Sequence, residues 1–282
     1  MSFSFLGRKP QIDAHISKLL KAEEKNLSKV RFWGKDSLER LKSFALRGKS
    51  LRGSLVVFSH KLFQGTSGSK VFDVAAALEL IHSALLIQDD ILDRDLMRRG
   101  VRAVHRQYAD LGARKKIKDR NHFGESAAIC LADIGFFAAF GTLGRLSLNS
   151  KIRDELWRLF REELAITASG QMADMALAEK RQKTLSVYCA KTARYTFVLP
   201  VLAGAILAGK RRKDLQKVEK LSEILGIIFQ LKDDELDKGG KGQGKEISRL
   251  VKKAQKLIWS LPVQEQKKAF GALLRYNLER RA

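Results

Sequence analysis

The sequence is poor in residues that interrupt helices. Proline occurs only at Pro10, Pro200 and Pro262 among 282 residues, and alternating apolar–polar runs, the mark of half-buried strands, are scarce. Apolar residues instead recur at three- and four-residue steps along most of the chain, so an all-α protein is expected. Hydrophobic residues make up 45% of it, enough for a large core. No tandem repeat or low-complexity linker divides the chain, and residues 1–282 read as a single domain. Cysteine is scarce too. Cys130 and Cys189 lie in apolar surroundings without metal-ligand spacing and read as buried free thiols, which suggests nothing secreted. The N-terminal MSFSFLGRKP lacks the apolar stretch of a signal peptide. The most apolar long stretch, Ala127–Gly144, contains Asp133 and many small residues, so a core helix rather than a membrane span is expected. The resulting expectation is a cytoplasmic protein.

Acidic residues are outnumbered, 31 against 54 Lys and Arg, for a net charge of +23. Such a field attracts nucleic acid, anionic lipid or diphosphates. The charge is spread along the chain, with runs at Arg114–Lys118, Lys210–Lys213 and Lys252–Lys256. It is not interleaved with aromatics as a single-strand platform would be. A solvated basic surface is expected, open to peripheral membrane contact, with nucleic acid disfavoured.

The apolar period places helices at about residues 11–29, 35–63, 70–95, 99–110, 122–147, 151–178, 184–208, 212–237, 246–259 and 263–281. The glycine-rich Gly239–Gly244 (GGKGQG) is the one stretch that looks mobile.

Carboxylates appear where helices are most apolar. In VAAALELIHSALLIQDDILDRD, Glu79, His82, Asp89 and Asp93 stand at i, i+3, i+10 and i+14, one broad stripe bordered by Asp90. A carboxylate inside an apolar helix is costly unless it is paired or bound to a cation. Asp89 and Asp93, one turn apart, can both reach one hard ion. Mg²⁺ suits them, taking one or two carboxylates together with phosphate oxygens. On its own, this motif is better explained as a solvated acidic patch at a helix end. The pattern recurs, however, in LSEILGIIFQLKDDELD, where Gln230, Asp233, Asp234 and Asp237 fall at i, i+3, i+4 and i+7. Two such stripes can face each other and hold several Mg²⁺ ions. Cations stand nearby in sequence: Lys49 and Arg52 in GKSLRG, Arg98 and Arg99 in MRRG, Lys191 in KTARY, and Lys241 and Lys245 by the glycine-rich loop. Arginine forks match phosphate oxygens.

From Gly48 to the C-terminal YNLERR, the chain resembles the trans-type prenyl diphosphate synthases, which make farnesyl, geranylgeranyl and longer chains. The matching blocks are GKSLRG, ELIHSALLIQDDILDRDLMRRG, HFGESAAICLAD, GQMAD, KTARYTFVLP and FQLKDDELD. The resemblance implies a single isoprenoid-synthase helical bundle around a deep apolar pocket, acting as a homodimer. Lys49, Arg52, His82 and Arg99 would hold isopentenyl diphosphate. Asp89, Asp90, Asp93, Asp233, Asp234 and Asp237 would bind three Mg²⁺ and the allylic diphosphate. Arg98, Lys191 and Lys241 would neutralise that diphosphate. Gln171 and Asp174 would assist from a third helix, and Thr192 and Gln230 would face the carbocation. Ala84 and Leu85 occupy the positions where an aromatic sets a fifteen-carbon limit in the family. A small Ala84 therefore implies a geranylgeranyl or longer product, unless Phe136 or Phe137 closes the pocket. Departures from the family pattern are GVRAVH after the arginine pair, Gln88 before Asp89, and Lys245–Glu246 in place of Gly-Asp. Three rivals fit less well. A class I terpene cyclase would show a different second metal motif. A non-catalytic partner subunit would tend to lose aspartates. A basic nucleic-acid-binding protein would have no use for the two acidic stripes.

Overall fold

The computed structural model describes residues 5–66, 68–178, 184–237 and 243–279, apart from the side chains of Phe5, Leu6, Ala178 and Asp237. Almost all of it is helix. Among the described residues the one β element is a small hairpin, Met97–Arg98 (β1) with Val101–Arg102 (β2). The chain packs as two compact units, described in turn.

The first unit combines Leu6–Ser54 with Phe72–Ser147. It holds α1 (Lys9–Leu27), α2 (Phe32–Leu46), nearly all of α4 (Lys70–Leu92), the hairpin, α5 (Val104–Arg114) and α6 (Arg120–Gly144). Its core is an alanine-rich stretch of α4. Ala75, Ala76, Ala77, Leu78, Leu80, Ile81 and Ala84 have no solvent exposure, and neither do Ile12 and Ile16 of α1 or Leu41 of α2. Short side chains on α4 let its neighbours approach closely. A Cβ on Gly135 of α6 would stand 3.2 Å from the Ala84 methyl. The small residues of α6 (Gly124, Ala128, Ala132, Gly135, Ala139) form its buried face.

The other face of α6 corrects two expectations. Only 39% of its apolar window is buried, so the helix is core on one side only. Ile129 and Phe137 are exposed, Phe137 at 72%, and Cys130 is an exposed free thiol rather than a buried one. A helix that is apolar all round reads the same in sequence whether its second face meets a core or a partner.

The second unit combines Leu55–Val71 with Leu148–Ala282. It contains most of α3 (Leu51–Leu62), α7 (Ser150–Ala178), α8 (Leu185–Tyr188), a π-helical segment (Cys189–Val198), α9 (Leu199–Leu207), α10 (Gln216–Asp237), α11 (Gly244–Trp259) and α12 (Gln264–Glu279). Every residue of α9 is buried, and Pro200 lies in its first turn, directly after the π-helical segment. In α11, Ile247, Leu250, Ala254 and Ile258 face inward while Lys252, Lys253 and Lys256 face solvent. Asn277 Nδ2 of α12 donates to the Leu225 carbonyl (2.9 Å), tying that helix to α10.

Three expected helices are interrupted. The stretch 35–63 breaks into α2 and α3, with Ser50 at φ 53° just before α3. The stretch 99–110 begins as the hairpin, and only its later part is α5. The stretch 184–208 is α8, the π segment and α9 in succession. Apolar periodicity reports none of these, because each break is set by backbone conformation rather than by burial.

Candidate active site: two acidic helix ends

Asp89 and Asp90 of the first unit lie in the last turn of α4, and Asp93 just beyond it. The helix closes with a Schellman arrangement: Arg94 takes φ 57°, its N–H donates to the Ile91 carbonyl, and the Asp95 N–H donates to the Asp90 carbonyl. Asp89 and Asp90 therefore sit at the negative end of the helix dipole, with Asp93 immediately beyond α4, where carboxylates are disfavoured unless a cation is supplied. Arg98 supplies one. Its Nε donates to Asp90 Oδ1 and its Nη2 to Asp95 Oδ2 (2.6 Å). Asp90 has no solvent exposure. Burial pushes its carboxyl up to about 6 despite Arg98, and neighbouring Asp95 and Asp89 add to the rise. Its other oxygen, Oδ2, is buried with no hydrogen-bond partner among the described residues.

The β1–β2 turn places the next arginine. Arg99 (φ 53°) and Gly100 (φ 76°) both take left-handed conformations, as a two-residue type I′ hairpin requires. Glycine meets this freely, whereas a non-glycine residue at positive φ stores strain of a kind found at functional sites. The guanidinium of Arg99 donates to the Phe44 carbonyl (2.6 Å) and lies 4.8 Å from the Phe44 ring centre. Arg52 is nearly buried, and Glu79, also buried, accepts from the Gly53 N–H (2.7 Å). Burial raises the Glu79 carboxyl above its usual range, and Arg52 and Arg99 oppose the rise. Partly buried His82 is held well below its usual range by desolvation, then by Arg52, Arg99 and Arg98. It is a neutral imidazole near pH 7. The sequence-derived Arg52, His82, Asp90, Arg98 and Arg99 thus come together. Lys49 is exposed on the segment leading into α3.

In the second unit, Asp233 and Asp234 occupy the last turn of α10, again against the helix dipole. Asp234 is held by neutral donors. Tyr188 OH donates to its Oδ2 (2.7 Å) and Gln230 Nε2 to its Oδ1 (2.8 Å). Thr192 Oγ1 donates in turn to Gln230 Oε1 (2.9 Å). Lys191 Nζ donates to Asp174 Oδ2 of α7 (2.7 Å). One turn before Asp174, Gln171 keeps a buried Nε2 with no hydrogen-bond partner among the described residues. Asp174, Lys191, Thr192, Gln230 and Asp234 therefore form one connected site, with Asp233 beside it on α10. The side chain of Asp237 and all of Lys241 lie outside the described residues.

Lys191 and Thr192 belong to the π-helical segment, a geometry that recurs at functional sites. Two glycines admit its widened backbone. A Cβ on Gly170 of α7 would stand 2.5 Å from the Lys191 nitrogen, and one on Gly226 of α10 would stand 2.5 Å from the Ala193 Cα. A charged network then pins the segment. Arg194 forms a two-pronged pair with Glu163, both contacts at 2.6 Å, and also meets Glu219 and Glu223. Arg212 joins through Glu162, Glu163 and Glu219. Glu163 has no exposure, so its charge depends on these arginines. Cys189 lies at the edge of the network. Burial and Glu223 push its thiol up to about 12. The sequence reading missed Tyr188, Arg194 and this network. Glu219 and Glu223 at i, i+4 on an apolar helix were the one available signal.

Among the described residues no three carboxylate, imidazole or thiol groups form a ready-made metal cage. Mg²⁺ takes one or two carboxylates and completes its shell with water and phosphate oxygens. Paired carboxylates at helix C-termini and the unpartnered Asp90 Oδ2 fit such an ion.

This fold is found in solved isoprenoid synthases. The structure matches a geranylgeranyl pyrophosphate synthase from Corynebacterium glutamicum, solved with isoprenyl diphosphate and magnesium, at a TM-score of 0.86 over 98% of this chain and 99% of that one, with 24% identity. A geranylgeranyl pyrophosphate synthetase from Pyrococcus horikoshii matches at 0.74 over 98% of both chains, with 20% identity. At these identities the likeness establishes the fold. The polyprenyl synthetase family model matches residues 37–252. A farnesyl diphosphate synthase of Bacillus subtilis is 32% identical over 220 residues, 73% of this chain and 68% of its own. This chain belongs to the polyprenyl synthetase family. A short chain isoprenyl diphosphate synthase of Methanothermobacter thermautotrophicus is 32% identical over 193 residues, 67% of this chain but 54% of its own. The chain thus spans little more than half the length of that curated relative.

Proposed function

We propose that this protein is a magnesium-dependent prenyltransferase that joins isopentenyl diphosphate head-to-tail to an allylic diphosphate, releasing diphosphate. The observation that carries the reading is the pair of acidic helix ends, each beside cations, in a chain of the polyprenyl synthetase family. Bound magnesium, three ions by the family resemblance, would supply the positive charge that stabilises the departing diphosphate.

Asp89, Asp90 and Asp93 would hold that metal in one unit, and Asp233, Asp234 and Asp237 in the other, with Asp174 assisting. Arg98 is held by Asp90 and Asp95, so its remaining N–H donors are aimed by two carboxylates before substrate arrives. Lys191 is oriented by Asp174 in the same manner, and Lys241 would join it on the allylic diphosphate. Lys49, Arg52 and Arg99 would take isopentenyl diphosphate. His82, kept neutral, would donate one hydrogen bond to it rather than a charge. Loss of diphosphate leaves an allylic carbocation. The Thr192–Gln230–Asp234 chain fixes its oxygens, so Thr192 and Gln230 can present them to that cation in a fixed orientation. The alkene attacks, and a proton is then lost to the departing diphosphate.

The product is geranylgeranyl diphosphate or longer. Gly135 lies against Ala84, so an aromatic at 84 would overpack the α4–α6 contact. Leu85, on the partly exposed side of α4, is the better probe of chain length. Phe137, exposed at 72%, points away from any floor within its own unit. The protein acts in the cytoplasm as a homodimer, with the open apolar face of α6 as the interface. The test is incubation with isopentenyl diphosphate, Mg²⁺ and dimethylallyl, geranyl or farnesyl diphosphate, followed by mass spectrometry. An elongated prenyl diphosphate is expected, and shorter products from Leu85→Phe. No elongation from any primer would refute the reading.

A further inference from the structure

The junction of α1 and α2 leaves apolar side chains open to solvent. A short 3₁₀ turn, Ser28–Val30, ends at Arg31, whose backbone is at φ 48° and ψ −117°. This turn projects Val30 and Phe32, exposed at 56% and 49%, with Trp33 beside them at 38%. The α5–α6 connection lies against the same place. Lys115 Nζ stands 4.5 Å from the Phe32 ring centre and 5.6 Å from that of Trp33, and Trp33 meets Phe123 edge-on at 6.0 Å. Residues 25–35 and 114–123 together carry nine Lys and Arg and one carboxylate, Asp119. Asp119 is engaged in capping α6, accepting from the His122 N–H.

We propose that this tip docks the protein on an anionic lipid surface. Val30, Phe32 and Trp33 would enter the headgroup–acyl boundary, and Lys29, Arg31, Lys35, Lys115, Lys116 and Lys118 would meet lipid phosphates. Aromatic rings beside an aliphatic side chain, ringed by cations, is the composition of interfacial anchors. Each such cation near an anionic leaflet adds attraction that salt screens. Lipid is favoured over nucleic acid on two grounds. Exposed Val30 has no use in base stacking, and Lys115 already covers the Phe32 and Trp33 rings that a base would need. The inference does not depend on the reaction proposed above.

The protein is tested by co-sedimentation with phosphatidylcholine vesicles, with and without phosphatidylglycerol. A W157F/W259F background leaves Trp33 as the sole indole. Binding is expected only with phosphatidylglycerol, weakening as salt rises, with Trp33 emission shifted to the blue and quenched by brominated acyl chains. Replacing Val30, Phe32 and Trp33 by serine in the wild-type background leaves the charge intact and is expected to weaken binding about tenfold or more. Should that variant fail to give a wild-type circular dichroism spectrum, Lys29→Glu/Arg31→Glu, altered only at exposed positions, is expected to lose the binding as well. Four results would each overturn the proposal: unaltered vesicle binding by the folded variants, unchanged Trp33 emission on vesicles, loss of binding through Trp259→Ser instead, or a variant effect confined to RNA binding or to self-association.

Discussion

The two acidic helix ends solve one electrostatic problem differently. At the end of α4 an arginine lies directly on a buried aspartate, and Arg98 shares itself between Asp90 and Asp95. At the end of α10 the corresponding carboxylate, Asp234, is held by a phenol and an amide, while Lys191 pairs with Asp174 of α7. Neutral donors fix the carboxylate without cancelling its charge. Asp234 therefore keeps its charge on neutral donors, whereas Asp90 is partly neutralised by Arg98.

The sharpest way to break this comparison is to delete a carboxylate from each end. Asp89→Ala and Asp233→Ala are each expected to lower turnover about a thousandfold or more, since each removes stabilisation of the leaving diphosphate. If both ends serve one diphosphate, the double variant falls little below either single one, because groups acting as a unit are not additive. Fully multiplicative losses in single-turnover kinetics would separate the two ends.

The next effect concerns the support of the second site. Glu163→Ala leaves Arg194 and Arg212 short of a buried partner. It is expected to cost about 3 kcal/mol in urea unfolding. It should also weaken catalysis, because the π-helical segment carries Lys191 and Thr192. A variant as stable as the wild type would mean that the glycine contacts alone hold that segment.

A smaller effect distinguishes Asp90. Its folded-state value near 6 lies above the ordinary carboxylate value, so the native protein binds this proton more tightly than the unfolded chain. The stability tied to it is present below about pH 4 and is lost as pH rises towards 6. Without magnesium, Asp90→Asn should gain on the wild type by about 5 °C in Tm between pH 4 and pH 7. A constant difference across that range would show that Arg98 already compensates the charge in full.

The smallest effect is chemical. Cys189, pushed up to about 12, should resist alkylation at pH 8 in the folded protein. Cys130 on the open face of α6 should react in dilute protein and become protected as protein concentration rises, if that face pairs two copies. Peptide mapping after iodoacetamide treatment reads both.

Much of this was legible in the sequence. The all-helical fold followed from apolar periodicity and scarce proline, and both acidic ends followed from carboxylates on apolar helices. The arginines and His82 of the first site were named from motif, and the structure brings Arg52, His82, Arg98 and Arg99 together. What escaped was set by backbone geometry and by distant partners. The I′ turn at Arg99–Gly100 read as helix because its neighbours have helical spacing. The π segment read as ordinary helix because the glycines that make room for it, Gly170 and Gly226, lie on helices before and after it. Tyr188 was invisible because its partner, Asp234, is 46 residues away. Cys130 read as buried because an apolar neighbourhood in sequence does not say which face of α6 it occupies.

The central claim is that the two acidic ends exist to hold magnesium against a departing diphosphate. The direct measurement is release of diphosphate from isopentenyl plus farnesyl diphosphate, in parallel with and without Mg²⁺, for the wild type, Asp89→Ala and Asp233→Ala. The account predicts release by the wild type that requires Mg²⁺ and is lost in both variants. Release that persists without metal, or that survives both substitutions, would contradict it.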